Sequence, residues 1–157
     1  MKRPWNLPNI PVYSLATYEG DQVNMNICTY VSAVSMHPKR YMVAVYHHTK
    51  SLENISKSKT AILQILSQQH ISLVNTLGKR SGIRYDKQSY LRKKHLLEDW
   101  NGRNVLKNCA GLLELEKLWA KDAGDHTMFL FDVKSIQTNH DEVLMLDDLR
   151  EKKLVSI

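Results

Sequence analysis

The segment at residues 24–38, NMNICTYVSAVSMHP, combines β-branched residues with hydroxyls and offers the first candidate chemistry. Read with a period of two, Thr29, Val31, Ala33 and Ser35 share one face and Cys28, Tyr30, Ser32 and Val34 the other, so neither face is a clean apolar stripe. Two readings fit: a sheet edge with solvated hydroxyls, or a strand entering a loop whose hydroxyls and N–H groups hold a polar ligand. A second candidate is TKSLEN at residues 49–54, where Thr49 or Ser51 precedes a helical pattern. Such a start is either a plain N-cap or an anion site built from unpaired amides and the helix dipole. A third is the charge distribution. Residues 79–107 hold nine Lys/Arg against three Asp/Glu, which equals the whole formal net charge of +6. This points either to a solvated surface or to an anionic partner, a nucleotide phosphate or a nucleic acid.

Other chemistries lack their residues. The sequence has no GxSxG, HExxH, GxGxxG or phosphate-loop motif, and no Ser or Thr has a His/Asp partner at a diagnostic spacing. The seven histidines are scattered, and His47 and His48, read as a strand end, point to opposite faces and make poor joint ligands. Cys28 and Cys109 have no CxxC spacing and are read as reduced and buried. No metal is expected.

The elements that position these residues are mostly strands. The 157 residues, 43% hydrophobic and 24% charged, suit one domain over residues 1–157. No apolar run is long enough to span a bilayer, and the prolines and Asn of MKRPWNLPNIPVY do not suit a signal peptide, so a cytoplasmic protein is expected. After an extended arm, residues 11–31 read as a hairpin turning at Glu19-Gly20-Asp21. RYMVAVYHH reads as a buried strand, TKSLENISKS as a short helix, TAILQILSQQ as a strand, and HISLVNTLGKRSG as a helix with Gly78 at its C-cap. Residues 79–108 read as a long polar loop with one or two helical turns. CAGLLELEKLWAK and HTMFLFDVKSIQT then alternate as a hairpin around KDAGD, and VLMLDDLREKKLVSI closes with a strand and a helical turn capped by Asp147 or Asp148. About six strands joined by hairpins, with small helices inserted, predict a mainly β antiparallel barrel.

GDQVNMNICTYVSAVSMHP, VAVYHHTKSLENI, AILQILSQQH and GDHTMFLFDV, in that order, resemble the flavin reductase-like, FMN-binding split-barrel family over about residues 10–140. Pro38-Lys39 stands where many members have two prolines. The resemblance implies an antiparallel split β-barrel that binds FMN as a homodimer and takes hydride from NADH or NADPH. It implies that Thr29, Tyr30, Ser32, Val34 and Ser35 contact the isoalloxazine or ribityl chain, and that Thr49, Lys50 and Ser51, with Asn54 in the same turn, meet the phosphate. It also places His126 on the nicotinamide side, as the candidate catalytic residue. A flavin site needs an apolar floor with hydroxyl and backbone donors, which a strand mixing Val with Thr and Ser supplies. Hydride passes directly between two rings, so no acid/base pair is obligatory. The alternatives are an FMN-binding electron carrier of the same fold and a nucleic-acid-binding barrel. The second is disfavoured, since only Tyr85, Tyr90 and Trp100 lie among the basic residues.

Overall fold

The computed structural model describes residues 1–155, and its centre is one seven-stranded antiparallel sheet in the order β2-β1-β5-β8-β9-β4-β3. The strands are β1 (Tyr13–Glu19), β2 (Gln22–Met25), β3 (Val31–Ser35), β4 (Arg40–Tyr46), β5 (Thr60–Ile65), β8 (Gly111–Asp122) and β9 (His126–Thr138). A separate two-stranded hairpin joins β6 (Leu97–Trp100) to β7 (Arg103–Leu106). Four short helices decorate the sheet: α1 (Lys50–Lys57), α2 (Val74–Lys79), α3 (Lys87–Lys93) and α4 (Leu146–Glu151). This is the mainly β antiparallel architecture predicted from the hairpin spacing. Among the described residues no helix is long and apolar enough to cross a membrane.

The two edges of the sheet, β2 and β3, are consecutive in the chain, and residues 26–30 carry the backbone from one to the other. This segment makes only scattered ladder contacts. Cys28 and Tyr13 exchange both backbone hydrogen bonds at 2.8 and 2.9 Å, and Ala44 N–H donates to Tyr30 C=O at 2.9 Å. No backbone partner is seen among the described residues for the N–H groups of Ile27, Thr29 and Tyr30. The barrel is therefore split along this seam.

Both faces of the central strands are covered, which explains their near-continuous apolar runs. Leu15, Ala61, Leu63, Leu113, Leu115, Phe129 and Phe131 point to one core, where the last two rings stack at 6.1 Å. Ala16, Ile62 and Leu112, their neighbours in the pleat, point to a second core shared with α2, α3, α4 and the β6-β7 hairpin. Gln64, fully buried in β5, ties the hairpin to the sheet, its Oε1 accepting from Leu106 N–H at 2.8 Å, while its Nε2 has no partner among the described residues.

Several local expectations are corrected. The loop expected over residues 79–108 has its helical turns in α3, but it also contains the unexpected β6-β7 hairpin, whose turn residues Asn101 and Gly102 have φ of 53° and 81°. An Asn-Gly turn with both φ values positive matches the twist of a two-residue hairpin. Gly78 lies inside the last turn of α2 and not at its C-cap, which is Arg80. A Cβ there would lie 3.2 Å from Ile27 Cβ and Cγ1, a tight contact that glycine avoids. The strand ending at His48 stops instead at Tyr46, and His48 (φ 61°) is left-handed. The alternation that sent His47 and His48 to opposite faces does not apply in that turn. At the C-terminus Asp148 is the capping side chain, its Oδ2 accepting from Met145 N–H at 2.8 Å. Arg150 pins the N-terminal arm through the carbonyls of Asn6 and Pro8.

Candidate functional site

A cleft of about 580 Å³ opens where the seam, the turn into α1 and the loop after α2 meet. Its first wall is the start of α1. Thr49 is the N-cap: its hydroxyl accepts from Leu52 N–H at 3.2 Å and donates to Tyr46 C=O at 2.8 Å. That hydroxyl is spent in both directions, which leaves the N–H groups of Lys50 and Ser51 as the unpaired donors of the first turn among the described residues. Ser51 is buried, and its Oγ accepts from Asn24 Nδ2 at 3.1 Å.

The cations around the cleft differ in availability. Lys50 Nζ is paired with Glu19 at 2.7 Å and Glu53 at 3.6 Å, and the hydrogen bond to Glu19 raises its pKa. Lys87, 5% exposed, donates to Met25 C=O at 2.9 Å and Leu77 C=O at 2.7 Å, and burial pulls its pKa from 10.5 to about 8. Lys79 and Arg80 have no ion pair among the described residues, and the Arg80 guanidinium lies 4.6 Å from the Tyr85 ring. No Asp or Glu lines the cleft among the described residues. Its field is therefore positive at the end where α1 begins.

The loop bearing these cations is held close by glycine. A Cβ on Gly82 would lie 2.1 Å from Asn24 Oδ1 and 3.0 Å from Lys50 Cβ, so only glycine lets the backbone reach the Asn24–Ser51 pair. Across the cleft Asn26, Ile27, Cys28, Thr29 and Tyr30 form the seam wall. Asn26 Oδ1 accepts from Leu15 N–H at 2.8 Å. Cys28 is partly buried, packed against the inner core, and burial pushes its pKa up to about 12, so it stays a neutral thiol.

His126 closes the far end. Its ring lies 5.0 Å from Tyr30 and 5.2 Å from Tyr46, the residue directly opposite it across the β4-β9 ladder. On the other side of Thr29, Tyr30 and His126 lies a second cavity of about 550 Å³, floored by Val31, Met42 and Met128. The two spaces share one wall, apolar on one side and rich in donors on the other.

Of the residues singled out in the sequence, Thr29, Tyr30, Thr49, Lys50, Ser51 and His126 are brought together around this cleft. Ser32, Val34 and Ser35 are not. They lie farther along β3, where Val34 is 53% exposed and the Ser32 hydroxyl donates to Ala33 C=O. A strand rising about 3.3 Å per residue leaves the cleft within two residues of Tyr30. Asn54 also lies outside it, one turn beyond Ser51, donating to Thr17 Oγ1 at 3.2 Å beneath α1. His47, His48, Asn24, Asn26, Lys79, Arg80 and Lys87 line the cleft without having been singled out as site residues. The available signal was the GKRSG stretch, small residues flanking cations, in the basic segment left unassigned.

A flavin mononucleotide has a dianionic end and a planar ring with carbonyl acceptors. The donors fit it: two unpaired amides and two unpaired cations at one end of the cleft, aromatic and apolar surface with free seam amides at the other. Compared with known families, residues 9–153 match the family described as flavin reductase like domain. The solved structure of flavin reductase PheA2 in its native state is 25% identical, with a TM-score of 0.73 over 88% of this chain and 85% of that one. An FMN-binding protein from Thermus thermophilus with bound 1-cyclohex-2-enone shares the fold at 18% identity and a TM-score of 0.76, covering 88% of this chain and 75% of that one. Flavoredoxin from Methanosarcina acetivorans does so at 16% identity and 0.76, covering 92% and 77%. No curated protein matches the sequence.

Proposed function

The chain belongs to the flavin reductase-like domain family, and on that premise we propose that it is an NAD(P)H-dependent flavin oxidoreductase holding FMN in the cleft beside α1. The observation that carries this reading is the cleft's polarity: an acid-free end with two unpaired amides and two unpaired cations faces an aromatic end at Tyr30 and His126. The N–H groups of Lys50 and Ser51, with Lys79 and Arg80, hold the phosphate. Lys50 itself serves chiefly to neutralise Glu19 and Glu53. The seam amides of Ile27, Thr29 and Tyr30 face the ring's acceptor edge, and Thr29 adds a hydroxyl. When bound, the flavin supplies the acceptor for a hydride delivered from nicotinamide C4.

His126 and Tyr30 form the wall between the two cavities and orient the donor ring that enters from the apolar side. We read the protein as a homodimer, because the β3 edge and its following turn expose Val34 (53%) and Met36 (75%), which a second copy would cover. The test is the visible spectrum of the protein after FMN addition and desalting, followed by anaerobic NADH and NADPH. Retained flavin that bleaches with nucleotide supports the reductase. Retained flavin that stays oxidised makes the protein an electron carrier, and a colourless protein sinks both readings.

A further inference from the structure

The loop between α2 and α3 brings Arg80 to the cleft directly after Lys79, and its internal bonds do not say where it stands. Arg84 N–H and Tyr85 N–H donate to Ser81 C=O at 3.1 and 2.9 Å, and the Arg80 guanidinium lies 4.6 Å from the Tyr85 ring. These contacts hold the loop to itself and not to the sheet. Gly82 permits the close approach to Asn24, but a permitted approach is not an attachment.

The attachment is at the base of the loop. Asp86, the N-cap of α3, accepts from Ser89 N–H at 3.0 Å, and the first turn of that helix is tied to the edge strand β2. Gln88 Oε1 accepts from Val23 N–H at 2.7 Å, and its Nε2 donates to Gln22 Oε1 at 3.1 Å. The strand itself is fixed by its ladder to β1, where Met25 faces Ala16. From this anchor Lys87 Nζ donates to Met25 C=O at 2.9 Å and to Leu77 C=O at 2.7 Å. Leu77 belongs to the last turn of α2, whose carbonyls have no partner within the helix. One ammonium therefore joins the two ends of the basic loop and fastens both to β2.

A helix cap alone would not call for this arrangement. A surface lysine caps a helix while staying solvated, whereas Lys87 is 5% exposed and has no carboxylate partner among the described residues. Burying a charge without a counter-ion is costly, and the return on that cost is the placement of the loop.

We propose that Lys87 is the positioning residue for the phosphate end of the cleft: by joining Leu77 C=O to Met25 C=O, it sets how far Lys79 and Arg80 stand from the first turn of α1. The inference rests on the flavin reading above, and Lys87 acts through those two cations.

The test compares affinities for FMN and riboflavin, which differ by the phosphate alone, using flavin fluorescence in titrations of the full chain near neutral pH. In Lys87→Met the preference for FMN should fall at least about tenfold, with riboflavin affinity within about threefold of wild type. In a Lys79→Ala, Arg80→Ala background the same substitution should change the preference by less than about twofold, since the cations it places are gone. A wild type that binds neither flavin, or both alike, sinks the phosphate reading and the role of Lys87 with it. A wild type that prefers FMN, beside a Lys87→Met that keeps the preference or loses both affinities equally, overturns the role of Lys87 alone. So does an effect undiminished in the double-alanine background. If Lys87→Met does not fold, Lys87→Gln decides, because its shorter amide cannot span both carbonyls: an unchanged preference there overturns the proposal as well.

Discussion

Asp125 Oδ1 lies 2.6 Å from His126 Nδ1, at the turn into β9, and that contact fixes which ring nitrogen carries the hydrogen. A carboxylate only accepts, so Nδ1 donates and Nε2 is left for the cleft. The hydrogen bond also lowers the Asp125 pKa, which keeps the carboxylate ionised at neutral pH. Asp125→Asn should lower kcat about tenfold and reshape the acid limb of the pH profile while leaving FMN affinity within about twofold. Steady-state kinetics over pH, with flavin titrations alongside, would show it. Unchanged kcat and an unchanged profile would remove His126 from any role at the reacting rings.

Gly82→Ala tests the close approach of the basic loop. The added Cβ would collide with Asn24 Oδ1, and relief requires Asn24 to leave Ser51 or the loop to lift. The expected loss is about 1–3 kcal/mol of stability in urea unfolding, together with at least about tenfold weaker FMN binding. A variant with wild-type stability and affinity would show that the loop is placed by something else.

Lys87 gives a pH signature. Its pKa is about 8 in the folded state against an ordinary 10.5, because burial disfavours the ammonium. Above about pH 8 the native state sheds a proton that the unfolded chain keeps until about pH 10.5, so the stability penalty is complete below that window and is relieved as pH rises through it. Relative to Lys87→Met, the wild type should gain about 1–2 kcal/mol of unfolding free energy between about pH 8 and about pH 10. Urea unfolding of both proteins decides it, and a difference independent of pH would mean that the amine titrates normally.

How far the sequence could be read depended on whether the determinant was local. The alternating β8 and β9 runs, the hairpin at Gly20 and the Thr49 cap were legible because period and turn chemistry act within a few residues. The β6-β7 hairpin was missed although Asn101-Gly102 is a strong turn signal, since Glu98, Asp99 and Arg103 masked its apolar alternation. At the site, the family resemblance grouped Ser32 and Ser35 with Thr29, yet distance along β3 separates them from the cleft. Lys87 was visible only as one charge among nine, because its burial depends on carbonyls 62 and 10 residues away in the chain. The hydroxyls of residues 24–38 divide between β3, which is exposed in the single chain, and the seam, which lines the cleft.

The seam at residues 26–30 has one more consequence. A continuous ladder there would consume the N–H groups of Ile27, Thr29 and Tyr30 in strand pairing and leave only side chains to meet a ligand. Because pairing is interrupted, the main chain keeps those donors available at this wall. Main-chain donors do not change with residue identity, so under the proposed flavin reading substitutions such as Ile27→Val or Cys28→Ala should weaken FMN binding far less than a proline at Ile27 or Thr29, which would delete the donor.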